Sequence, residues 1–139
     1  MDIRPVGPGQ VGHVLAASSL FDGAATRAWT ALFLERGGHH LLLAWLDDVP
    51  VGFVSGVETT HPDKGTEMFL YELAVDEGHR RKGIGRALVE AIAAVAVERG
   101  CYGMWVGTEP DNQAAIATYR SAGAPEPEPF VTLTWDLGA

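Results

Sequence analysis

The sequence has little cysteine and no long apolar run. Cys101 is the only cysteine among 139 residues, so no disulfide can form within the chain, and a lone thiol favours a reducing, cytoplasmic compartment. The longest apolar stretches fall far short of the roughly 20 residues that span a bilayer, and the N-terminus lacks a basic start followed by an apolar run. These absences argue against a membrane or export role.

Metal-binding patterns are also missing. Neither H-E-x-x-H nor C-x-x-C occurs, and the adjacent His39 and His40 would point to opposite faces of a strand. We therefore expect no metal site, and we interpret Cys101 as structural.

Cations are scarce, with 10 Lys and Arg against 18 Asp and Glu, and the net charge is −8. This balance repels phosphate backbones and argues against nucleic-acid binding, whereas it would attract a cationic small molecule. Simple solubility is an equally good explanation of the acidity. The exception is a group of four cations within seven positions, namely Arg80, Arg81, Lys82 and Arg86.

Hydrophobic periodicity predicts a strand over IRPV, a helix after Pro8 and a second helix over residues 24–35. In the second helix Trp29, Leu32 and Phe33 form an apolar stripe that is expected to pack into the core. Two β-rich runs flank a tight connection at Asp47 and Asp48, a pattern typical of an antiparallel hairpin.

The second half of the chain predicts three more strands and two more helices. The strands are MFLYELAV, in which Glu72 is the one charged residue of a run expected to be covered on both faces, GMWVGT and finally FVTLTWDL. The helices run from Ile84 to a stop at Gly100 and over NQAAIATYRSAG, which closes at Gly123. The predicted fold is thus α/β of the mixed α+β kind, with a central mixed, mostly antiparallel twisted sheet and helices on both faces, in one domain over residues 1–139.

A glycine-containing turn loaded with cations comes directly before the helix that begins at Ile84. The first turn of a helix has backbone N–H groups without partners and a partial positive charge, which together favour a phosphate. Gly83 and Gly85 would let the backbone approach such a ligand, and the four cations would neutralise its charge. The alternative is a plain glycine turn with a solvated basic patch.

This segment resembles the GNAT superfamily of N-acetyltransferases, whose signature [QR]-x-x-G-x-[GA] is met by Arg80, Gly83 and Gly85. A second family pattern, N-x-x-A-x-x-x-Y-x-x-x-G-F, is met by Asn112, Ala115, Tyr119 and Gly123, although Ala124 replaces the usual aromatic residue. Within the superfamily, YELAV followed by HRRKGIGRALVEAI, with TWDL near the end, is most similar to the aminoglycoside 3-N-acetyltransferases.

The resemblance implies acetyl-CoA as the acyl donor. It implies that the backbone of Leu73, Ala74 and Val75 pairs with the pantetheine arm. The loop residues would hold the pyrophosphate, and they are Arg80, Arg81, Lys82, Gly83, Ile84, Gly85 and Arg86. Asn112 would touch the cofactor, or it would serve only as a helix N-cap.

Acetyl transfer to an amine needs a proton acceptor and a proton donor. Glu72 is the candidate base, because desolvation in an apolar strand would raise its pKa; the alternatives are a water relay and a structural pair between Glu72 and Arg81. Tyr119 is the candidate acid, since a phenol stays protonated at neutral pH, and the alternative is a core aromatic.

Three functions compete. The first is acetylation of a primary amine on a cationic small molecule, such as an aminoglycoside or polyamine. The second is acetylation of a protein or peptide, and the third is a non-catalytic acyl-CoA-binding module. The sequence leaves the oligomeric state open, and a homodimer is compatible with it.

Overall fold

The computed structural model describes all 139 residues and confirms the predicted mixed fold. One sheet has the strand order β1-β2-β3-β4-β5, in which neighbours are antiparallel except for the parallel pair β4 and β5. The strands are β1 Asp2–Pro5, β2 His39–Leu46, β3 Val49–His61, β4 Gly65–Val75 and β5 Met104–Trp105. The helices are α1 Val11–Ala16, α2 Arg27–Glu35, α3 Ile84–Glu98 and α4 Gln113–Ser121, and short 3₁₀ turns cover Pro8–Gln10, Ser18–Leu20 and Glu77–His79.

The hairpin between β2 and β3 forms where the sequence predicts it. Asp47 and Asp48 both have positive φ, 50° and 63°, as a two-residue type I′ turn requires. Asp tolerates this region better than most residues do, because its short side chain bonds locally. The turn therefore sets the register of the two strands that form the centre of the sheet.

Helices cover both faces of the sheet, and each face has its own core. On one face α3 contributes Leu88 and Ile92, both fully buried, and α4 packs beside them. On the other face α1 and α2 contribute Val14 and Leu34, which pack on Phe53 of β3. No helix is both long enough and apolar enough to cross a bilayer.

A β-bulge interrupts β4 at Tyr71. Ser55 of β3 lies opposite Glu72 and Gly56 lies opposite Leu70, so Tyr71 is an extra residue without a partner. The bulge reverses the alternation of side chains, so that Leu70 before it and Leu73 after it both pack on the α3 face. Glu72 is thereby directed to the α2 face. Tyr71 is 61% exposed, so the expectation that β4 is covered on both faces fails at the bulge, whereas Leu73 and Ala74 pack against the cores on opposite faces.

The predicted stripe of α2 is only partly confirmed, because Phe33 packs against the core whereas Trp29 and Leu32 are exposed. The helix begins at Arg27 instead of residue 24, because Thr26 caps it by accepting the Trp29 N–H at 3.2 Å. Thr30 and Leu34 are the buried residues, whereas Trp29 is 72% and Leu32 is 38% exposed. The buried face is thus displaced by about one residue from the stripe, and Trp29 lies at the mouth of a cavity.

The end of the sheet differs from the prediction as well. The expected strand GMWVGT is reduced to Met104–Trp105, and the expected last strand FVTLTWDL does not form. Residues 125–139 are exposed throughout and make no hydrogen bond between backbone groups. A strand needs a neighbour to satisfy its N–H and C=O groups, and this segment has none within the chain.

Candidate active site

Strands β4 and β5 diverge after two residue pairs, Met68 with Met104 and Phe69 with Trp105. The gap opens into a cavity of about 200 Å³, which we call the β4–β5 cavity; its lining includes Leu70, Val89, Met104, Val106 and Tyr119. Beyond the divergence, the side of β4 that faces β5 has no strand partner over residues 73–75. Leu73, Ala74 and Val75 thus leave backbone groups without a strand partner on this edge, which suits an extended chain bearing amides.

The turn between β4 and α3 holds its backbone in an unusual conformation. Arg81 and Gly83 have positive φ, 63° and 79°, and Gly83 is the N-cap of α3. The first hydrogen bond of the helix runs from the Ala87 N–H to the Gly83 carbonyl, at 3.0 Å. The N–H groups of residues 84–86 are therefore free of intrahelical partners, and together with the helix dipole they are the candidate anion site of the chain.

The four cations beside this turn are not equally available. Arg86 pairs with Glu90 at 2.6 Å along α3, and the Arg80 Nε donates to the Val75 carbonyl at 3.4 Å. Arg81 and Lys82 are exposed and make neither an ion pair nor a side-chain hydrogen bond. Arg81 and Lys82 are therefore the charges most available to a phosphate.

Two residues of the turn also have structural roles. Ile84 is buried in the core under α3, so it can offer a ligand only its backbone N–H. A Cβ on Gly85 would lie 3.1 Å from Thr118 Cγ2, so the absence of a side chain at Gly85 lets α4 approach α3, while its N–H stays free for a ligand. Gly83, by contrast, has open space where a side chain would be.

Tyr119 lies on α4 and lines the β4–β5 cavity. Burial raises the pKa of its phenol, and no hydrogen bond contributes to the shift. The phenol consequently keeps its proton at neutral pH and has it free to donate.

Asn112 is the N-cap of α4, where its Oδ1 accepts the Ala115 N–H at 3.1 Å. Capping thus occupies this oxygen of Asn112.

Glu72 lines a second cavity, of about 220 Å³, on the α2 side of the sheet. We call it the α2-side cavity. Its walls are mostly apolar and include Phe21, Trp29 and Phe33, while Glu72 is the only charged residue in the lining. The carboxylate accepts a long hydrogen bond of 3.4 Å from the Ser55 hydroxyl, and no arginine pairs with it. The alternative of a Glu72–Arg81 pair is therefore not observed.

The surroundings of Glu72 alter its acidity. Burial raises the pKa of the carboxyl above its ordinary value, and the negative charge of Asp22 raises it further, whereas the Ser55 hydrogen bond opposes the shift. Sequence reasoning missed Ser55, Trp29 and Phe33 as parts of this site. The hairpin register, which places Ser55 opposite Glu72, is the one sequence-level signal that points to Ser55.

Glu72 and Tyr119 do not share a cavity. They line cavities on opposite faces of the sheet, separated by β4. The two cavities can therefore receive two molecules from opposite faces of the sheet. The two molecules would meet where β4 and β5 diverge.

Most of the chain matches one known protein family. The model described as the acetyltransferase (GNAT) family matches residues 14–124. The chain belongs to this family. It is 35% identical over 101 residues to the L-2,4-diaminobutyric acid acetyltransferase of Streptomyces coelicolor, covering 72% of this chain and 51% of that protein. It is 40% identical over 57 residues to the [ribosomal protein bS18]-alanine N-acetyltransferase of Escherichia coli K12, covering 41% and 38%. The matched region therefore spans about two fifths to one half of these curated relatives.

Solved structures agree on the fold of this GNAT chain. An aminoglycoside acetyltransferase from an uncultured soil metagenomic sample, in complex with sisomicin, superposes with a TM-score of 0.90 at 19% identity, over 98% of this chain and 95% of that one. The aminoglycoside N-acetyltransferase AAC(6′)-Iy in complex with CoA superposes with a TM-score of 0.79 at 20% identity, over 96% and 93%. At these identities the likeness concerns the fold, and the acceptor has to be argued from the site.

Proposed function

We propose that this protein transfers an acetyl group from acetyl-CoA to a primary amine of a cationic small molecule. The observation that carries the proposal is the pair of cavities on the two sides of β4, one lined by the Tyr119 phenol and the other holding a single carboxylate. Aminoglycosides and polyamines are the leading acceptor classes, because the net charge of −8 favours cations and an aminoglycoside acetyltransferase shares the fold closely. Acetylation at the 3-N position remains a prediction from the sequence.

The donor side fits acetyl-CoA, which when bound supplies an activated acyl thioester. Arg81 and Lys82 would neutralise its phosphates beside the free N–H groups of α3. The unpaired edge of residues 73–75 would bond the amides of the pantetheine arm, and the β4–β5 cavity would exclude water from it. A backbone N–H at Val75 or its neighbour would polarise the thioester carbonyl.

The acceptor side supplies a base. An amine like that of lysine has a pKa near 10.4, so making it neutral at pH 7 costs roughly 4 to 5 kcal/mol. Glu72, whose pKa burial raises, takes the proton directly or through one water. Tyr119, on the opposite side of β4, donates a proton to the departing thiolate. The bonding changes are one N–C bond formed and one C–S bond broken. The nitrogen loses one proton to become neutral and a second as the amide forms, the thiolate gains one from Tyr119, and one proton is released to solvent.

The test of the proposal is thiol release from acetyl-CoA across aminoglycosides, polyamines and lysine peptides. We expect turnover with members of the first two classes and little with the peptides. If acetyl-CoA binds and no amine is acetylated, the protein is a non-catalytic acyl-CoA-binding module.

Acetylation of a protein N-terminus is the second candidate, favoured by the likeness to the bS18-alanine enzyme. Peptides that begin with alanine test it in the same assay. An α-amine has a pKa near 8, so it needs far less help from a base than a lysine-like amine does. Efficient turnover of such a peptide would replace the small-molecule assignment.

The anion site can be tested with two substitutions at Gly83. We expect Gly83→Asp to weaken CoA binding by about 10- to 100-fold, because it places a negative charge beside the phosphates. Gly83→Asn is the matched control. Asparagine has the shape of aspartate and enters the same open space at the same positive φ, but it carries no charge. Titration calorimetry measures both. Equal CoA affinity in the two variants would place the phosphates elsewhere.

The acidic surface predicts a salt effect on the acceptor. For an acceptor with several ammonium groups, we expect kcat/KM to fall by about 10-fold as ionic strength rises from about 0.01 M to about 1 M, because the Debye length shrinks from about 30 Å to about 3 Å. Acetyl-CoA is held saturating so that its own charge does not contribute. A monoamine of the same reactivity is the control and should change much less, and identical salt profiles would argue against electrostatic selection.

A further inference from the structure

The α2-side cavity, which receives the acceptor in the proposed function, has walls that are mostly carbon. Phe21, Phe33 and Leu41 line it, and the indole of Trp29, which is 72% exposed, lies at its mouth. A polar group placed against such walls loses its hydrogen bonds to water, whereas an apolar group gains free energy from the contact. The part of the acceptor that the cavity covers should therefore be apolar.

Free hydrogen-bonding side chains are few in this lining. The Thr26 hydroxyl oxygen caps α2, and the Ser55 hydroxyl donates to Glu72 at 3.4 Å. Thr30 supplies the third hydroxyl of the lining; the residue is only 6% exposed, and its side chain has no hydrogen-bond partner within the chain. An ammonium in the cavity would donate one N–H to the Glu72 carboxylate and another to the Thr30 hydroxyl. The free side chains of the lining thus suffice for one ammonium.

A hydroxyl-rich acceptor fits this lining poorly. Each hydroxyl of a sugar ring that entered the cavity would lose its hydrogen bonds to water, and no free side-chain partner would remain once Glu72 and Thr30 hold the ammonium. A polymethylene chain has no polar group to satisfy and packs against the aromatic walls. The lining therefore favours an aminoalkyl chain over an amino sugar.

A second carboxylate lies beside this cavity. Asp22 stands between the lining residues Phe21 and Gly23, is exposed, and makes neither an ion pair nor a side-chain hydrogen bond. Burial is the main cause of the raised pKa of Glu72, and the charge of Asp22 adds to it, which places the two carboxylates within electrostatic reach of each other. An unpaired carboxylate at the surface attracts a cation that remains in solvent. The two carboxylates thus suit a molecule with an ammonium at each end.

Building on the proposed function, we infer that the acceptor is a linear aliphatic diamine or polyamine. One terminal amine enters the α2-side cavity and is acetylated, while a second amine stays protonated in solvent beside Asp22. The transfer step is the one given above, and its product is the mono-N-acetyl amine. Glu72 and Thr30 bind the reacting amine, the apolar walls contact the polymethylene chain, and Asp22 recognises the second charge.

Three six-carbon amines test the acceptor class by thiol release at saturating acetyl-CoA. Hexylamine should exceed glucamine, which carries a hydroxyl on each of its other carbons, by about 10- to 100-fold in kcat/KM, because those hydroxyls are left unpaired. 1,6-Diaminohexane should exceed hexylamine by about 5-fold, of which about 2-fold is statistical because either end can react. Glucamine turned over as well as hexylamine would overturn the inference and leave the proposed function standing. No turnover of any amine would contradict both.

The role of Asp22 is tested by the ratio of kcat/KM for 1,6-diaminohexane to that for hexylamine. Asp22→Asn should lower this ratio from about 5 to the statistical value of about 2. The ratio cancels the influence of Asp22 on Glu72, because both amines meet the same base. Glu98→Gln is the matched control: it also removes one negative charge, but from an exposed position on α3, across the sheet, and should leave the ratio at about 5. An unchanged ratio in Asp22→Asn, or an equal fall in Glu98→Gln, would show that Asp22 does not recognise the second ammonium.

Discussion

Replacing Tyr119 by phenylalanine is expected to lower kcat by about 10²-fold and to leave acetyl-CoA affinity nearly unchanged. The substitution keeps the ring that lines the β4–β5 cavity and removes only the proton donor. The effect should lie near the low end of the range for general acid catalysis, because a thiolate with a pKa near 8.5 is a fair leaving group without help.

The structure makes Tyr119→Phe a clean experiment. Burial alone accounts for the raised pKa of the phenol, so no hydrogen bond is lost with the hydroxyl and the melting temperature should hardly change. Tyr102→Phe is the matched control: it removes a hydroxyl that donates to Glu67 at 3.0 Å, in a surface pair away from both cavities, and should leave kcat intact. Near-normal turnover by Tyr119→Phe, when chemistry limits the rate, would assign the acid to water.

Local signals in the sequence predict much of this fold. The aspartate pair of the hairpin, the glycine-led start of α3 and the Asn112 cap of α4 each depend on residues within one turn of the chain. The class of sheet follows from the order of these elements. The predicted element boundaries are wrong where a local feature competes. Thr26 caps α2, so the helix begins at Arg27, three residues after the predicted start.

The parts of the site that the sequence does not disclose depend on distant contacts. The bulge at Tyr71 has no local signature, yet it decides that Glu72 faces α2 and not α3. Gly85 belongs to the predicted ligand-binding motif, but its missing side chain also makes room for Thr118, a contact that the sequence does not reveal. The last two strands fail for the same reason, since pairing depends on a neighbour that the single chain does not supply.

The second large effect is expected at Glu72. We expect Glu72→Gln to reduce kcat/KM for a lysine-like amine by about 10²- to 10⁴-fold, the usual contribution of a general base. Glutamine keeps the shape of the side chain and a partner for the Ser55 hydroxyl, so the α2-side cavity should be preserved. Acetyl-CoA affinity should be unaffected, because the β4–β5 cavity lies on the other face of the sheet.

The pH dependence of kcat/KM tests whether Glu72 is the base. Glu72 must be ionised to act as a base, and its pKa in the free enzyme is raised above 4.5, so the acidic limb of kcat/KM should lie above pH 4.5. Ser55→Ala removes the hydrogen bond that lowers this pKa and should move the limb to higher pH. Asp22→Asn removes a charge that raises it and should move the limb to lower pH. Two shifts of opposite sign are hard to obtain from any other titrating group.

The thermal stability of the Glu72→Gln variant is an independent check of the raised pKa, because it can be measured without the acceptor. A carboxyl whose pKa is raised in the folded state binds its proton more tightly there than in the unfolded chain. Its favourable contribution is complete below pH 4.5 and is lost as the pH rises through the folded-state pKa. Glu72→Gln should therefore melt at a higher temperature than the wild type at neutral pH, and the difference should shrink in acid. A variant that loses stability together with activity would show that Glu72 supports the fold, and the base would then be a water.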